Sequence, residues 1–261
     1  MIPQAEIVAW QNIAPWQANE QVEQDLIICR ALVEIYSDEM LSENLAFRGG
    51  TALYKLHLPE QLRYSEDIDL VQIKPVSIGS VLDRLRKKLE FLGKPRINQK
   101  EFNNTVVFRY NSEIEPAIPM KLKIEINCRE HFSVFGYTKL PFSVSSGWFT
   151  GKTEITTFEM EDLMGTKMRA LYQRKKGRDL FDLYHILSKT KVNPEGIIKA
   201  FRKYMEQEGN KVSRKEFIIN MEDKMQKDVF ISDINSLLSP GVKFEMQEAW
   251  ELVHEKLINL L

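Results

Sequence analysis

Apolar residues recur at every third or fourth position through the first part of the chain. In the clearest run, five of them fall on one face of a helix: Val22, Leu26, Cys29, Val33 and Tyr36. This spacing predicts an amphipathic helix, for which Asn19 is a suitable N-cap. Because Pro15 interrupts the pattern, a separate shorter helix is expected before it. We therefore predict an N-terminal helical segment over residues 1–45.

The pattern becomes an alternation in the middle of the chain. Leu122, Ile124 and Ile126 alternate with polar residues, which predicts a half-buried strand. The polar face of this strand carries Glu125. Residues 104–110 are rich in β-branched and aromatic side chains and predict a second strand. Both segments indicate that the middle of the chain contains a sheet.

Helical periodicity marks two further regions. Residues 77–92 predict a basic amphipathic helix, whose basic face we interpret as solvated surface rather than an RNA-binding patch. Residues 132–158 are rich in Phe, Ser, Gly and Thr and are expected to form loops and short strands. From Glu159 onward the pattern is helical to the end, with a last helix over about 244–260. A domain border is therefore expected at residues 159–161.

These elements predict an α/β fold of the α+β type, a small mixed sheet with flanking helices. The chain is expected to divide into an N-terminal helical segment (1–45), a core that carries the sheet (46–158) and a C-terminal helical domain (159–261). With 261 residues and 43% hydrophobic composition, the chain is long enough to bury such a core.

The distribution of charge is more informative than its sum. The formal net charge is −1, yet residues 163–215 contain 14 Lys and Arg against 5 Asp and Glu. This asymmetry indicates a polyanion near this half of the chain, or a solvated helical surface. The concentration of basic residues over 167–178 favours contact with phosphate.

Two features bear on where the protein acts. Cys29 and Cys128 are far apart and lack metal-ligand spacing, so both are expected to be buried thiols in a reducing compartment. The N-terminus does not have the pattern of a signal peptide, and no apolar run is long enough to span a membrane. We therefore expect a cytoplasmic protein without membrane contact.

The candidate chemistry is concentrated in one stretch, residues 47–71 (FRGGTALYKLHLPEQLRYSEDIDLV). Gly49 and Gly50 can form a tight turn whose backbone N–H groups approach a phosphate. Asp67 and Asp69 are two positions apart, so in a strand both carboxylates point to one face. Neighbouring carboxylates repel each other unless a cation lies between them. This combination suggests a site for a divalent metal and a nucleoside triphosphate.

Two further candidates lie outside this stretch. If the strand of Glu125 is a neighbour of the Asp67–Asp69 strand, Glu125 completes a three-carboxylate cluster; the equal alternative is a surface Glu paired with Lys123 or Lys121. The second candidate is the block over residues 162–187, where Lys167 and Arg174 lie at helical spacing. In this block Asp179 is expected to be the N-cap of the next helix.

Three blocks in the order GGTAL, SEDIDL and KMRALYQRKKGRDLFDLYHIL resemble the AbiEii/AbiGii toxin family. The first two also resemble the Gly-Gly and Asp-x-Asp signature of the wider DNA polymerase β-like nucleotidyltransferase superfamily. The resemblance covers about residues 20–190. It implies that residues 46–158 are a nucleotidyltransferase core, and that the site lies in a cleft between the sheet and the C-terminal helices.

The resemblance also implies roles for single residues. Asp67, Asp69, Lys167 and Asp179 would be catalytic. The triphosphate would be bound by a larger set: Gly49, Gly50, Thr51, Ser65, Lys167 and Arg174. Asp67 and Asp69 would bind Mg²⁺ or Mn²⁺, and the superfamily's architecture adds Glu125 as the third ligand.

The activity implied is transfer of a nucleoside monophosphate from NTP to an RNA hydroxyl, with release of pyrophosphate. The first acceptor to consider is tRNA, and a cognate antitoxin would restrain the protein. Two alternatives stay open. One is transfer to a small molecule such as an aminoglycoside, against which the basic patch weighs. The other is a toxin or regulator that binds NTP and metal without transfer.

Overall fold

The structure is a computed structural model that describes residues 2–58 and 60–261. The chain forms two compact units. The first contains the residues up to Phe132 together with Tyr137–Phe158, and the second contains Ser133–Gly136 and Glu159–Leu261.

The first unit contains helices and a sheet. Its α-helices are α1 (Gln4–Trp10), α2 (Asn19–Tyr36), α3 (Glu39–Asn44), α4 (Gly49–Ala52) and α5 (Gly79–Lys88). A π-helical turn (Leu53–His57) follows α4, and a 3-10 turn (Glu90–Leu92) follows α5. Its strands are β1 (Leu45–Arg48), β2 (Ile68–Gln72), β3 (Arg96–Gln99), β4 (Asn103–Asn111), β5 (Pro119–Asn127), β6 (Tyr137–Ser145) and β7 (Thr150–Phe158).

Within the described residues, seven strands form one mixed sheet in the order β3-β4-β5-β2-β1-β7-β6. Two neighbouring pairs are parallel, β2 with β5 and β1 with β7. The other pairs are antiparallel. A mixed sheet accompanied by helices confirms the predicted α/β fold class. The sheet order also makes β2 and β5 direct neighbours, which is the arrangement on which the role of Glu125 depends.

Helix α2 confirms the strongest helical prediction, and it packs against β5, β6 and β7. All five residues of the predicted apolar face are buried: Val22, Leu26, Cys29, Val33 and Tyr36. The predicted cap is wrong. The N-cap is Ala18 and Asn19 is the first helical residue. The side-chain oxygen of Asn19 accepts a hydrogen bond from Gln11 instead of capping the helix.

The alternation over residues 120–127 is confirmed by β5. Leu122, Ile124 and Ile126 are fully buried, and the polar residues between them lie on the other face. The expectation of loops and short strands over 132–158 is confirmed in part: strands are present, but β6 and β7 are nine residues long each and form a hairpin. The second half of β7 is buried, and β1 pairs with it there. Pro141 in β6 and Gly151 in β7 interrupt the two strand patterns, which made both strands look shorter in the sequence.

The second unit is helical, as predicted. It contains α6 (Met160–Gln173), α7 (Gly177–Lys189), α8 (Pro194–Gln207), α9 (Arg214–Met225), α10 (Asp228–Ile231) and α11 (Met246–Lys256), with 3-10 turns at Ser232–Leu237 and Ile258–Leu260. Helices α6 and α8 pack closely because Gly165 has no side chain; a Cβ there would lie 2.5 Å from the Cβ of Ala200. The last helix is shorter than the predicted 244–260.

Candidate active site

The two glycines after β1 permit a close approach of backbone and side chains. Gly49 has a φ of +84°, which favours glycine, and a Cβ on it would lie 2.2 Å from the Oδ2 atom of Asp69. A Cβ on Gly50 would lie 2.4 Å from the Nη2 atom of Arg63. The Gly-Gly pair is therefore required by its contacts with Asp69 and Arg63, which is a stronger reason than a flexible turn.

Thr51 connects this turn to the segment that precedes β2. Its hydroxyl lies 2.5 Å from the backbone oxygen of Asp67, to which it donates, and 2.8 Å from the hydroxyl of Ser65. Thr51 is buried. The two predicted nucleotide-binding residues Thr51 and Ser65 thus contact each other, and Thr51 fixes the backbone at the first aspartate.

The predicted alternation around the aspartates is confirmed. Ile68 and Leu70 are buried, whereas Asp67 and Asp69 are half-buried on the other face. Strand β2 begins at Ile68, so Asp67 lies just before it. On the parallel neighbour β5, Glu125 is the register partner of Asp69. The sheet therefore brings the three predicted carboxylates to adjacent positions on one face.

A lysine lies between two of these carboxylates. The Nζ atom of Lys123 is 2.8 Å from Oδ2 of Asp67 and 3.1 Å from Oε1 of Glu125. Burial alone would lower the pKa of Lys123, but the hydrogen bonds and charges of Asp67 and Glu125 outweigh it and hold this pKa above its ordinary value. Each of the two interpretations of Glu125 agrees with one observation. The strand of Glu125 lies beside β2, and its side chain is paired with Lys123.

These contacts show which side-chain oxygens could bind a metal ion. In residues 2–58 and 60–261, no group of three or more His, Cys, Asp or Glu side chains is arranged to hold a metal ion. Asp67 and Glu125 nevertheless hold one cation, the Lys123 ammonium, between their oxygens. Mg²⁺ is commonly bound by one or two carboxylates together with water and substrate phosphates. Carboxylate oxygens are the type of donor that Mg²⁺ and Mn²⁺ take.

A second polar cluster lies in the second unit, between α6 and α7. The Nζ atom of Lys167 is 2.7 Å from Oδ2 of Asp182 and 3.4 Å from Oδ1 of Asp179. Arg174 binds Asp179 with two hydrogen bonds, of 2.7 and 2.8 Å. Both carboxylates are fully buried, whereas the Arg174 side chain is half exposed. Sequence reasoning thus grouped Lys167, Arg174 and Asp179 correctly.

The prediction that Asp179 is an N-cap is wrong. The N-cap of α7 is Lys176, and Asp179 lies in the first turn without a capping bond. Its carboxylate is instead occupied by Arg174 and Lys167. Helix α6 stops at Gln173, so Arg174 lies just beyond its end, and Arg178 pairs with Asp233. Gly177 is needed here because a Cβ would lie 2.3 Å from the backbone oxygen of Phe230.

Sequence reasoning missed three residues of these clusters. Lys123 was considered only as a partner of Glu125, although it also binds Asp67. Asp182 was not predicted as a partner of Lys167, and the signal that was available is its i,i+3 spacing from Asp179. Arg63 is almost fully buried beside Gly50, with its guanidinium 5.0 Å from the ring centre of Tyr54. No sequence signal marked Arg63.

A mixed sheet that carries the Gly-Gly turn and adjacent carboxylates defines a protein of the nucleotidyltransferase class. The family model "Nucleotidyl transferase AbiEii toxin, Type IV TA system" matches residues 30–256. The chain therefore belongs to the AbiEii nucleotidyltransferase toxin family, whose members are the toxins of type IV toxin–antitoxin systems. This confirms the resemblance found in the sequence.

Solved structures share the fold at low sequence identity. The nucleotidyltransferase toxin MenT4 from Mycobacterium tuberculosis H37Rv is similar with a TM-score of 0.70 and 16% identity, over 100% of this chain and 90% of that one. A putative nucleotidyltransferase from Helicobacter pylori is similar with a TM-score of 0.57 and 19% identity, over 94% and 99% of the two chains. JHP933 from Helicobacter pylori has a TM-score of 0.57 and 16% identity, over 93% and 92%. No curated protein matches the chain at a significant level.

Within the described residues, no helix combines the length and the apolar character needed to cross a bilayer.

Proposed function

We propose that this protein transfers a nucleoside monophosphate from NTP to an RNA hydroxyl and releases pyrophosphate. The first candidate for the acceptor is tRNA, and a cognate antitoxin restrains the activity. NTP and tRNA are both cytoplasmic, so the cytoplasm is the place of action. Membership of the AbiEii family supports the reaction class. The observation that carries the proposal is the pairing of Asp69 on β2 with Glu125 on β5, with Asp67 just before β2 on the same face.

The roles of the residues in the first unit follow from their contacts. Asp67, Asp69 and Glu125 would hold Mg²⁺ or Mn²⁺, which would supply neutralisation of phosphate charge and a lowered pKa of the attacking hydroxyl. Gly49 keeps the backbone close to Asp69 and Gly50 keeps it close to Arg63, and a triphosphate would lie against the backbone N–H groups of this turn. Thr51 and Ser65 hold the segment of Asp67 in place.

The roles in the second unit follow from its ion pairs. Asp179 and Asp182 hold the Lys167 ammonium in a fixed position, and Asp179 holds the Arg174 guanidinium in a bidentate geometry. Fixed cations of this kind stabilise negative charge without reorganisation. We assign Lys167 and Arg174 to phosphate binding and Asp179 to their positioning.

The surface of the second unit favours an acceptor that is long and negatively charged. Of the 14 basic residues over 163–215, all are exposed except Lys167, Arg169 and Arg178. Exposed lysines and arginines bind the phosphates of nucleic acids without regard to sequence. A small acceptor such as an aminoglycoside is itself cationic and gains nothing from such a surface. The basic surface thus favours RNA over a small molecule.

The test is a labelling reaction with purified protein, radiolabelled NTPs, Mg²⁺ and total RNA. We expect the wild type to label RNA and Asp69→Ala to reduce the labelling by at least about 100-fold, since the metal-binding carboxylate is lost. Equal labelling by the two proteins would refute the assignment. The control is Glu154→Ala, an exposed carboxylate on β7 of the same sheet, which should label like the wild type.

Two outcomes of this experiment separate the alternatives. Release of pyrophosphate without labelled RNA, but with a labelled aminoglycoside, would assign a small-molecule acceptor. NTP binding by calorimetry without pyrophosphate release in the presence of RNA would assign a non-catalytic NTP-binding toxin or regulator.

A further inference from the structure

Lys123 and Glu125 lie on the same face of β5, and Asp67 precedes the parallel neighbour β2. The Lys123 ammonium bridges the two carboxylates at 2.8 and 3.1 Å. All three side chains are between 30% and 38% exposed. The cluster is thus open to ions from solvent, unlike the buried ion pairs of the second unit.

The position of this ammonium has a direct consequence for a metal ion. A divalent ion bound by both Asp67 and Glu125 must lie between their oxygens, within about 2.1 Å of each for Mg²⁺. Lys123 Nζ already lies between the same oxygens. Two cations cannot share that position, because they overlap sterically and repel each other.

We propose that Lys123 is an exchangeable counter-ion of the metal site. It holds Asp67 and Glu125 together until a divalent ion displaces it, and metal binding therefore breaks two ion pairs. This inference rests on the proposed function, since it assigns the two carboxylates to a metal. Lys123 acts on the metal through Asp67 and Glu125, so it is a positioning residue.

The exchange makes the binding of free metal weaker and dependent on substrate. Without nucleotide, a metal ion must replace two ion pairs by its own contacts with the same carboxylates. An NTP adds phosphate ligands for the metal, and it also offers negative charge to the displaced ammonium. The arrangement thus favours loading of metal together with NTP over loading of metal alone.

The chain offers matched variants for a test. Lys123→Met removes the bridging charge and keeps a long apolar side chain, whereas Lys123→Arg keeps the charge. Lys121→Met removes a charge from the same face of β5, two residues earlier, where the side chain is exposed. Comparison with Lys121→Met separates the exchange from a general change in electrostatic field.

The first measurement is the affinity for Mn²⁺ without nucleotide, by calorimetry. Part-exposed ion pairs are weak, so we expect Lys123→Met to bind Mn²⁺ about three- to tenfold more tightly than the wild type. Lys121→Met should differ from the wild type by less than about twofold, since its charge is more distant and screened. Lys123→Arg should bind no more tightly than the wild type. Unchanged or weaker binding by Lys123→Met would overturn the inference.

The second measurement is thermal unfolding. Without metal, Lys123→Met should have a lower Tm than the wild type, because Asp67 and Glu125 then face each other without a counter-ion. Added Mn²⁺ should raise the Tm of Lys123→Met more than that of the wild type, because a ligand stabilises in proportion to its affinity. An equal rise in both proteins would contradict the exchange.

These readouts are independent of catalysis, so the two proposals can fail separately. Tighter Mn²⁺ binding by Lys123→Met in a protein that labels no acceptor would support the exchange and refute the proposed transfer. Labelling of RNA by the wild type with equal Mn²⁺ affinity in both proteins would refute the exchange alone.

Discussion

Asp69 on β2 and Glu125 on β5 are register partners in a parallel pair of strands at the centre of the sheet. Parallel partners on one face lie about 4.8 Å apart along the hydrogen-bonding direction. This pairing brings together two carboxylates that are remote in the sequence, and Asp67 joins them through Lys123. Of the three predicted metal ligands, Glu125 has the weakest support from the sequence, and its pairing with Asp69 makes its role testable.

Glu125→Gln should reduce nucleotidyl transfer and leave the fold intact. The substitution keeps the shape of the side chain but removes its charge, so the site should hold a divalent ion less well. We expect labelling of RNA to fall at least about tenfold, with partial recovery at high Mn²⁺ concentration. Transfer assays over a Mn²⁺ titration provide the measurement, and Glu154→Gln on the exposed part of β7 is the control. Full activity in Glu125→Gln would remove Glu125 from the metal site.

Gly49→Ala should disturb both stability and activity, because a Cβ would lie 2.2 Å from Oδ2 of Asp69. Gly93 is the matched control. It has a φ of +83°, close to the +84° of Gly49, but nothing lies within 4 Å of its Cβ position. Gly93→Ala should therefore lose only about 1–3 kcal/mol, the cost of placing alanine at φ +83° and ψ −159°, a backbone region that is essentially restricted to glycine. Gly49→Ala should lose more stability than Gly93→Ala, and its added Cβ should also displace Asp69.

Denaturant unfolding and the labelling assay measure the two effects. Equal losses of stability in Gly49→Ala and Gly93→Ala, with normal labelling by Gly49→Ala, would show that Asp69 moves away at no cost. The close approach to Gly49 would then have no functional importance.

Asp182→Ala should destabilise the second unit by about 3–5 kcal/mol, because it leaves the buried Lys167 ammonium with one fewer carboxylate. The control is Asp223→Ala, which removes the partner of Lys227 at an exposed position and should change stability little. Denaturant unfolding measures both. The double variant Asp182→Leu with Lys167→Met should be more stable than Asp182→Ala, since it removes the buried ammonium together with the carboxylate. A small effect of Asp182→Ala would mean that Asp179 alone is a sufficient partner for Lys167.

The stability of the second unit should rise with pH in a window set by Lys224. Burial, followed by repulsion from Lys175 and Lys227, lowers the pKa of Lys224 to about 8, although Asp179 and Asp223 act in the opposite direction. The unfolded chain keeps the ordinary value of about 10.4. Between these values the unfolded state binds more protons, so the free energy of unfolding increases as pH rises from about 8 to about 10.4.

The expected gain is about 1 kcal/mol, less than the full pKa shift would give, because the ammonium donates hydrogen bonds to two backbone oxygens that favour its charged form. The measurement is the free energy of unfolding at pH 8 and pH 10, in the wild type and in Lys224→Met. Other lysines and tyrosines titrate in the same range in both proteins, so the difference between the two slopes isolates Lys224. Parallel pH profiles would show that Lys224 has an ordinary pKa. Lys224→Met should also be less stable at pH 10, since the amine donates to the backbone oxygens of Leu171 and Tyr172.

Local patterns predicted well those elements that have one buried and one exposed face. The alternation in β5 and the helical period of α2 identified both elements, because burial selects apolar residues at the periods of strand and helix. β6 and β7 were expected only as short strands among loops, because Pro141 in β6 and Gly151 in β7 are residues that usually interrupt a strand pattern. Asn19 and Asp179 were expected to be caps, but competing partners, Gln11 in one case and Arg174 and Lys167 in the other, engage their side chains.

The sequence by itself determined the family, the class of fold and the face of the strand on which Asp67 and Asp69 lie. Each of these depends on residues close in the chain, or on blocks in a fixed order. Only the tertiary structure decided that Glu125 is the partner of Asp69, that Asp182 shares Lys167 with Asp179, and that Lys123 bridges Asp67 and Glu125. The order of strands in a sheet joins residues across long loops, and many orders satisfy the same alternation of polar and apolar positions. Packing of the whole core selects one of them, and that selection determines which charges meet.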